Sequence, residues 1–358
     1  MSRLRVFAVL FGMMLLGIGE LGLRFTLGPP PPAVRVFSAL GQKHPQFLEE
    51  GSGGWATTYQ MVPTVLHEDT YAVVVGGSTV HRGSPGVVTD SEFPAIAGRG
   101  LGRPVLNLGA PGLDSHDLLS LVEELTDLPV GAGRPEVIVV YAGHNDFGNA
   151  RFHARYGSVS SGLSAHLQSR LESLQIYSQL GRLVRPVRGM VRSGGEDDFS
   201  GLEQAAWEQV LRHFAKNVER LRHVTERAGI HLTLVTPVSN LFETPRDSAC
   251  DAVDCPPRVH ALALERLSEG KKDEAKTLFM DARDQDRIAL RAPTSVAEMF
   301  RELAEKHPSV SVVDAVSLMP RHWELDVVAD QMFVDPIHLS HAGHAALGAL
   351  LADHLVGL

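Results

Sequence analysis

The segment Tyr71-Ala72-Val73-Val74-Val75-Gly76-Gly77-Ser78-Thr79 joins an unbroken apolar run to two glycines and two hydroxyl side chains. A valine-rich run with no polar alternation predicts a strand buried on both faces, whereas a strand with one wet face would alternate. Such strands belong to parallel sheets covered by helices on both sides, where functional groups gather at the carboxyl ends of strands. The glycines after Val75 allow a tight turn and a close approach by a substrate acyl group, so Ser78 is expected to project from the sheet edge at the start of a helix. Taken alone, the segment fits a plain serine helix cap equally well.

Further apolar runs bounded by Gly, Asn or Pro predict strands at 105–108, 137–141, 232–236 and 310–313. Helical spacing lies between them. Residues 115–128 carry it, and Leu202, Trp207, Val210, Leu211, Phe214, Val218 and Leu221 form one apolar stripe, with Ser200 and Glu203 placed for a capping box. Strand and helix in alternation read as an α/β fold, a sheet sandwiched between two helical layers.

At 358 residues and 44% hydrophobic content the chain suits one domain with insertions. Its formal net charge of -9 repels nucleic acid and excludes that partner class. Arg3 and Arg5 precede an apolar run over residues 6–19, and Glu20 and Arg24 follow it. Extended to Leu27, the run reaches the roughly 20 residues that cross a bilayer. With no small-x-small cleavage site behind it, residues 1–27 read as an uncleaved membrane anchor, cytoplasmic end first; a cleaved signal or a buried helix are the alternatives. Residues 28–68, opening on the proline run Pro29 to Pro32, read as a stalk, and residues 69–358 as the catalytic body on the extracytoplasmic side, or as a secreted domain. Cys250 and Cys255, the two cysteines, are close enough to form a local disulfide in an oxidising compartment.

Two stretches read as additions to the core. Residues 151–199 contain seven arginines and one acid, Glu172, up to Arg192, with leucines at helical intervals. This is a basic lid against an anionic surface, or a pair of ordinary cover helices. Residues 241–292 contain helix, Gly270 turn and helix, and LSEGKKDEAKTLFMDARDQD resembles half of a tetratricopeptide repeat. One hairpin does not make an array, so it reads as a docking insert for a protein partner.

Three further pieces lie at strand ends or before the last helix. Asn107-Leu108-Gly109-Ala110-Pro111-Gly112 is a glycine turn whose N–H groups can face an oxyanion, and Gly143-His144-Asn145-Asp146 puts an amide at the next strand end. Asp335-Pro336-Ile337-His338 precedes a helix beginning near Ser340, a spacing that lets Asp335 hold Nδ1 of His338 and leaves Nε2 for a serine. Each has a structural reading as a turn, a cap or a plain DxxH pair. In this order they resemble the SGNH, or GDSL, hydrolase family. The resemblance covers about residues 71–355 without the inserts, and GGST replaces the usual GDS(L) block, a variant of exported members; Leu339 replaces the frequent proline after histidine.

That resemblance implies a flavodoxin-like sheet in the order 2-1-3-4-5 and a serine esterase. Ser78 would be the nucleophile, His338 the base and Asp335 its partner; Ser78, Gly112 (in preference to Gly109) and Asn145 would form the oxyanion hole. The substrates implied are short acyl esters or acylated carbohydrates, without a cofactor. A polysaccharide O-acetyltransferase using the same triad and a non-catalytic envelope binding protein are the alternatives. His338, His341 and His344 recur every three residues, as zinc ligands could, but His338 is better explained by Asp335 and the others by solvated surface, so no metal is expected.

Overall fold

Parallel strands need helices to carry the chain back, and the runs of valine, isoleucine and leucine form such a sheet. The computed structural model describes residues 71–81, 90–126, 135–150, 204–246, 255–288, 290–319 and 329–358, with Gly19 and Gly22. In chain order these hold β1 (Ala72–Gly76), α1 (Phe93–Leu101), β2 (Val105–Asn107), α2 (Ser115–Thr126), β3 (Val137–Tyr141), α3 (His144–Asn149), α4 (Gln204–Ala228) and β4 (His231–Val235). There follow α5 (Pro256–Ser268), α6 (Lys272–Gln285), α7 (Thr294–Lys306), β5 (Val310–Val313), α8 (Ala315–Leu318), α9 (Ala329–Met332) and α10 (His341–Val356). The sheet is five-stranded and parallel, in the order β2-β1-β3-β4-β5.

Every residue of β1 and β3 is buried, as a sheet covered on both faces requires. Alternate side chains supply two cores. Val73, Val75, Ile138, Val140, Leu232 and Leu234 pack with Leu118 and Val122 of α2, Phe214 and Leu221 of α4 and Phe300 of α7. Val74, Val137, Val139 and Tyr141 pack on the other side with Phe93 of α1 and Leu347 and Leu351 of α10. The stripe on α4 behaves as its spacing predicts: Trp207, Val210, Phe214, Val218 and Leu221 are buried. Its expected cap, Ser200 and Glu203, lies outside the described residues.

β4 begins at His231, one residue before the apolar run. The imidazole that hid this from a hydropathy pattern is held by Ser311 on β5, with Nε2 2.9 Å from Oγ. The same hydroxyl lies 2.8 Å from Nε2 of His354 on α10 and 3.1 Å from Oγ1 of Thr233.

α5 and α6 form the expected hairpin around Gly270, whose φ of 77° suits glycine. Its own small core holds Ala263, Ala275 and Phe279, with Leu241 and Phe242 packed on it. Cys255, just before α5, is disulfide-bonded, and Cys250, outside the described residues, is the only other cysteine of the chain. The chain divides into two compact units, residues 1–35 with 158–199 and residues 36–157 with 200–358, and every element named above belongs to the second. The expected anchor (apart from Gly19 and Gly22), stalk and basic lid lie outside the described residues. Among the described residues no helix is long and apolar enough to cross a membrane.

Burial lowers the pKa of both His231 and His354, and the charge of His231 adds to the effect on His354. A histidine whose folded pKa is depressed is neutral in the fold, so the unfolded chain binds more protons and stability is lost as pH falls below about 6.5. We expect His354→Gln, which keeps a partner for Ser311 without a titrating ring, to flatten this acid limb. Urea midpoints at pH 5 and pH 7.5 measure it, and an unchanged difference between the two would exclude the pair as its source.

Candidate active site

β1 ends opposite β3 with Gly76 aligned on Tyr141, so the residues just beyond each strand come out side by side. Ser78 leaves β1 in a hydrogen-bonded turn, with Val80 N–H donating to Gly77 O at 3.1 Å and His81 N–H to Ser78 O at 3.3 Å. Residues 78–80 form this turn where the start of a helix was expected. The direction a side chain would take at each glycine is filled by the protein itself: a Cβ at Gly76 would meet Val80 and Tyr141 O, and one at Gly77 the Asn145 amide. Val80 also fills the space over Gly109, locking the Ser78 turn onto the turn after β2. Asn107 completes the lock by donating from Nδ2 to Val80 O at 2.7 Å and accepting from Gly109 N–H at 2.9 Å.

His338 arrives from the far end of the chain. Its loop is closed by antiparallel pairing of Phe333 with Leu339 and by Val334 N–H donating to His338 O at 2.9 Å. Asp335 Oδ1 accepts the N–H groups of Ile337 at 2.9 Å and His338 at 2.7 Å, and Oδ2 lies 2.6 Å from His338 Nδ1. The other ring nitrogen, Nε2, is 2.8 Å from Ser78 Oγ. Partial burial works to raise the Asp335 pKa, but the bonds from His338 and Ile337 and the charge of His338 outweigh it and hold the carboxyl at about 2. Ionised Asp335 therefore fixes the ring with its Nδ1–H inward and Nε2 toward the hydroxyl, an arrangement that can remove the serine proton.

Asn145 and Ser78 line one cavity with Gly77, Leu113, Tyr141 and His144. The Asn145 amide donates to Leu113 O at 2.8 Å, and its second N–H has no partner among the described residues. Gly112, at φ 75°, does not line that cavity, whereas its neighbour Leu113 does. Gly109 N–H is engaged by Asn107, while Gly112 N–H and Ser78 N–H donate to no atom among the described residues.

Besides Asn145, α3 carries residues to which the motif reading gave no role. Asn145, Asp146 and Asn149 reach back onto residues 112–115: Asn149 Nδ2 donates to Gly112 O at 2.9 Å and to Asp114 Oδ2 at 3.2 Å. Asp146 Oδ1 accepts Ser115 N–H at 3.1 Å and the Ser115 hydroxyl at 2.5 Å, and that hydroxyl in turn accepts from Asn217 of α4 at 2.9 Å. Three polar side chains within five residues, at positions i, i+1 and i+4, were the available signal. His144 is buried, its Nδ1 accepting Ala292 N–H at 3.1 Å. Burial, reinforced by the charges of His338 and Arg283, pushes its pKa down to about 3 against the Val238 carbonyl, so the ring is neutral.

The three-residue histidine series does not converge. His341 is exposed, whereas His344, expected at the surface, is fully buried, stacked on Phe93 and accepting Phe93 N–H through Nδ1 at 3.1 Å. Among the described residues no three His, Cys, Asp or Glu side chains are arranged to hold a metal ion.

Comparison of the sequence with protein-family models and with curated proteins gives no match. Among solved structures the chain is similar to a lipolytic protein of the G-D-S-L family from Desulfitobacterium hafniense DCB-2, at 14% identity and a TM-score of 0.38, over 79% of this chain and 98% of that one. It is also similar to the lipase/acylhydrolase from Enterococcus faecalis, at 16% identity and a TM-score of 0.38, over 80% and 96% of the two chains. The acetyl xylan esterase AlAXEase aligns at 12% identity and a TM-score of 0.37, over 79% and 98%.

Burial, followed by the charge of Asp114, raises the pKa of Asp146. A carboxyl whose folded pKa lies above its unfolded value of 3.8 stabilises the fold at low pH and withdraws that stability as pH rises toward neutrality. Asp114→Asn removes the neighbouring charge and is expected to lessen the loss of thermal stability between pH 5 and pH 8. An unchanged slope in melting experiments would show that the two carboxyls do not communicate.

Proposed function

We propose that the chain is a hydrolase of carboxylic esters that works through an acyl-enzyme on Ser78. The observation that carries this reading is the continuous hydrogen-bonded chain from Asp335 Oδ2 through the His338 ring to Ser78 Oγ, at 2.6 and 2.8 Å. Ser78 Oγ attacks the ester carbonyl while His338 Nε2 takes its proton, giving a tetrahedral oxyanion and an imidazolium that ionised Asp335 stabilises. The imidazolium returns the proton to the departing alcohol oxygen, the carbonyl re-forms, and Ser78 is left acylated. Water, deprotonated by the same ring, then attacks the acyl-enzyme, releases the acid and restores the hydroxyl. The oxyanion is held by Ser78 and Gly112 N–H groups and the second N–H of Asn145.

Short acyl esters and acetyl esters of carbohydrates are the substrates that the family resemblance and an extracytoplasmic position support. The basic, apolar N-terminus supports that position, with residues 1–27 anchored in the membrane, and the α5–α6 hairpin is a surface for a protein partner.

Fluorophosphonate labelling and p-nitrophenyl acetate hydrolysis by residues 26–358 test the reading, with both signals expected to vanish in Ser78→Ala. A labelled, active Ser78→Ala protein would overturn it. Asn145→Ala is expected to keep the fold and lose about 100- to 1000-fold in kcat, the typical effect of one oxyanion donor. Near-normal turnover would remove Asn145 from the oxyanion hole.

A further inference from the structure

We infer that Arg291, at the return of the helical insert, is a positioning residue that holds the Asp335–His338 loop in its working geometry through Asn240 and the Pro336 peptide. The kinetic consequence rests on the ester-hydrolase reading of Ser78, whereas the placement itself rests on the bonds.

The Pro336–Ile337 peptide is the piece on which the loop depends. In a planar trans peptide the C=O and the following N–H point in opposite directions, so fixing one fixes the other. Ile337 N–H donates to Asp335 Oδ1 at 2.9 Å, and the Pro336 oxygen of the same peptide accepts Asn240 N–H at 2.9 Å. Asn240 belongs to the loop after β4, so the carboxylate beside His338 is held from outside its own loop. A shift of Asn240 tilts this peptide, withdraws Ile337 N–H from Asp335 and moves the carboxylate whose Oδ2 lies 2.6 Å from His338 Nδ1.

Asn240 in turn is set by Arg291. One guanidinium nitrogen, Nη1, donates to Asn240 O at 3.0 Å and to Glu243 O at 2.8 Å, while Nη2 stands 3.6 Å from Asp286 Oδ2. Asp286 is itself fixed by the N–H groups of Arg246 and Ile288, at 3.1 Å each. Both ions are buried, at 3% exposure each. A buried ion pair often adds no stability that apolar side chains of the same volume could not supply, whereas a rigid planar fork of donors fixes several acceptors at once. One residue on, Ala292 N–H donates to His144 Nδ1, beside Asn145, so the return of the insert touches both halves of the site and Arg291 serves the His338 half. The Tyr141 hydroxyl accepts Val238 N–H and anchors the loop after β4 at its start, so losing Arg291 frees residues 240–243 without releasing the whole loop.

The test uses the full chain with Arg291→Met, which removes every donor, and Arg291→Lys, which keeps the charge beside Asp286 but not the fork. Proton NMR reads the Asp335–His338 bond without substrate: a short, charge-assisted Nδ1–H bond gives a resonance far downfield, identified by its loss in Asp335→Asn. That resonance is expected to move upfield or broaden in Arg291→Met. Hydrolysis of p-nitrophenyl acetate, measured well below each melting temperature, is expected to fall about 10- to 100-fold in kcat, the range that a small misplacement at a reacting group costs. His338 acts in both acylation and deacylation, so both steps slow and KM stays near wild type. Arg291→Lys is expected to lie between wild type and Arg291→Met in both readings. A folded Arg291→Met with the wild-type resonance and kcat, or Arg291→Lys with both where methionine prevents folding, would overturn the role of Arg291 and leave the hydrolase reading standing. A change in KM alone would overturn it as well. A wild type that cleaves no ester would overturn the hydrolase reading, and the resonance would still decide the placement.

Discussion

Gly76 lies opposite Tyr141 in the parallel pairing of β1 and β3, and in parallel strands one register serves both ends. Two residues past Gly76 stands Ser78; two past Tyr141 is Gly143, with Asn145 beyond it. Because a slip of one residue would turn every valine of a doubly buried strand to the opposite core, this register is strongly enforced by packing. Hydrophobic burial in the two cores thus brings a hydroxyl and an amide to one cavity, and the bonds from Asn107 to Val80 O and from Asn145 to Leu113 O then hold them there.

What the sheet cannot supply is the imidazole beside Ser78. His338 comes from a loop 260 residues away in sequence, and its position depends on the loop's own bonds together with α10 packed on α1. Gly343 lets α10 approach closely, since a Cβ there would run into Met332 O and Leu339. Ser340 accepts Gly343 N–H at 3.3 Å to cap the helix, which starts it directly after the Asp335–His338 loop. Ser78 is therefore set by strand register and His338 by a capped helix on one face, with the 2.8 Å contact between them as the point where the two systems meet.

α3 has a second task beyond presenting Asn145. With Asn149 on Gly112 O and Asp146 on Ser115, it clamps the turn after β2 in place, and Asn217 extends the clamp to α4. The helical insert is tied into the same region. Arg291, buried, donates to Asn240 O at 3.0 Å and to Glu243 O at 2.8 Å, and Ala292 beside it holds His144. The residues that return from the hairpin thus form part of the scaffold behind the site, which a hairpin read only as a docking module does not suggest.

The sequence by itself determined the sheet, because doubly buried strands show as apolar runs and their alternation with helical stripes leaves little choice of fold class. It also marked Ser78, Asn145, Asp335 and His338 as one group, through motif order and the local DxxH spacing. The tertiary structure alone decided the rest. His231 opens a strand and His344 is buried, because each finds a partner on another element, Ser311 and Phe93 N–H, that hydropathy cannot foresee. The glycines after β1 make room for Val80 and Asn145, side chains brought there by folding. The cavity at Ser78 is likewise lined by residues far apart in the chain, Leu113 after β2 and Tyr141 held by Val238 after β4. Local pattern records which surface a residue prefers to bury; which atoms it then meets is fixed only when distant elements pack together.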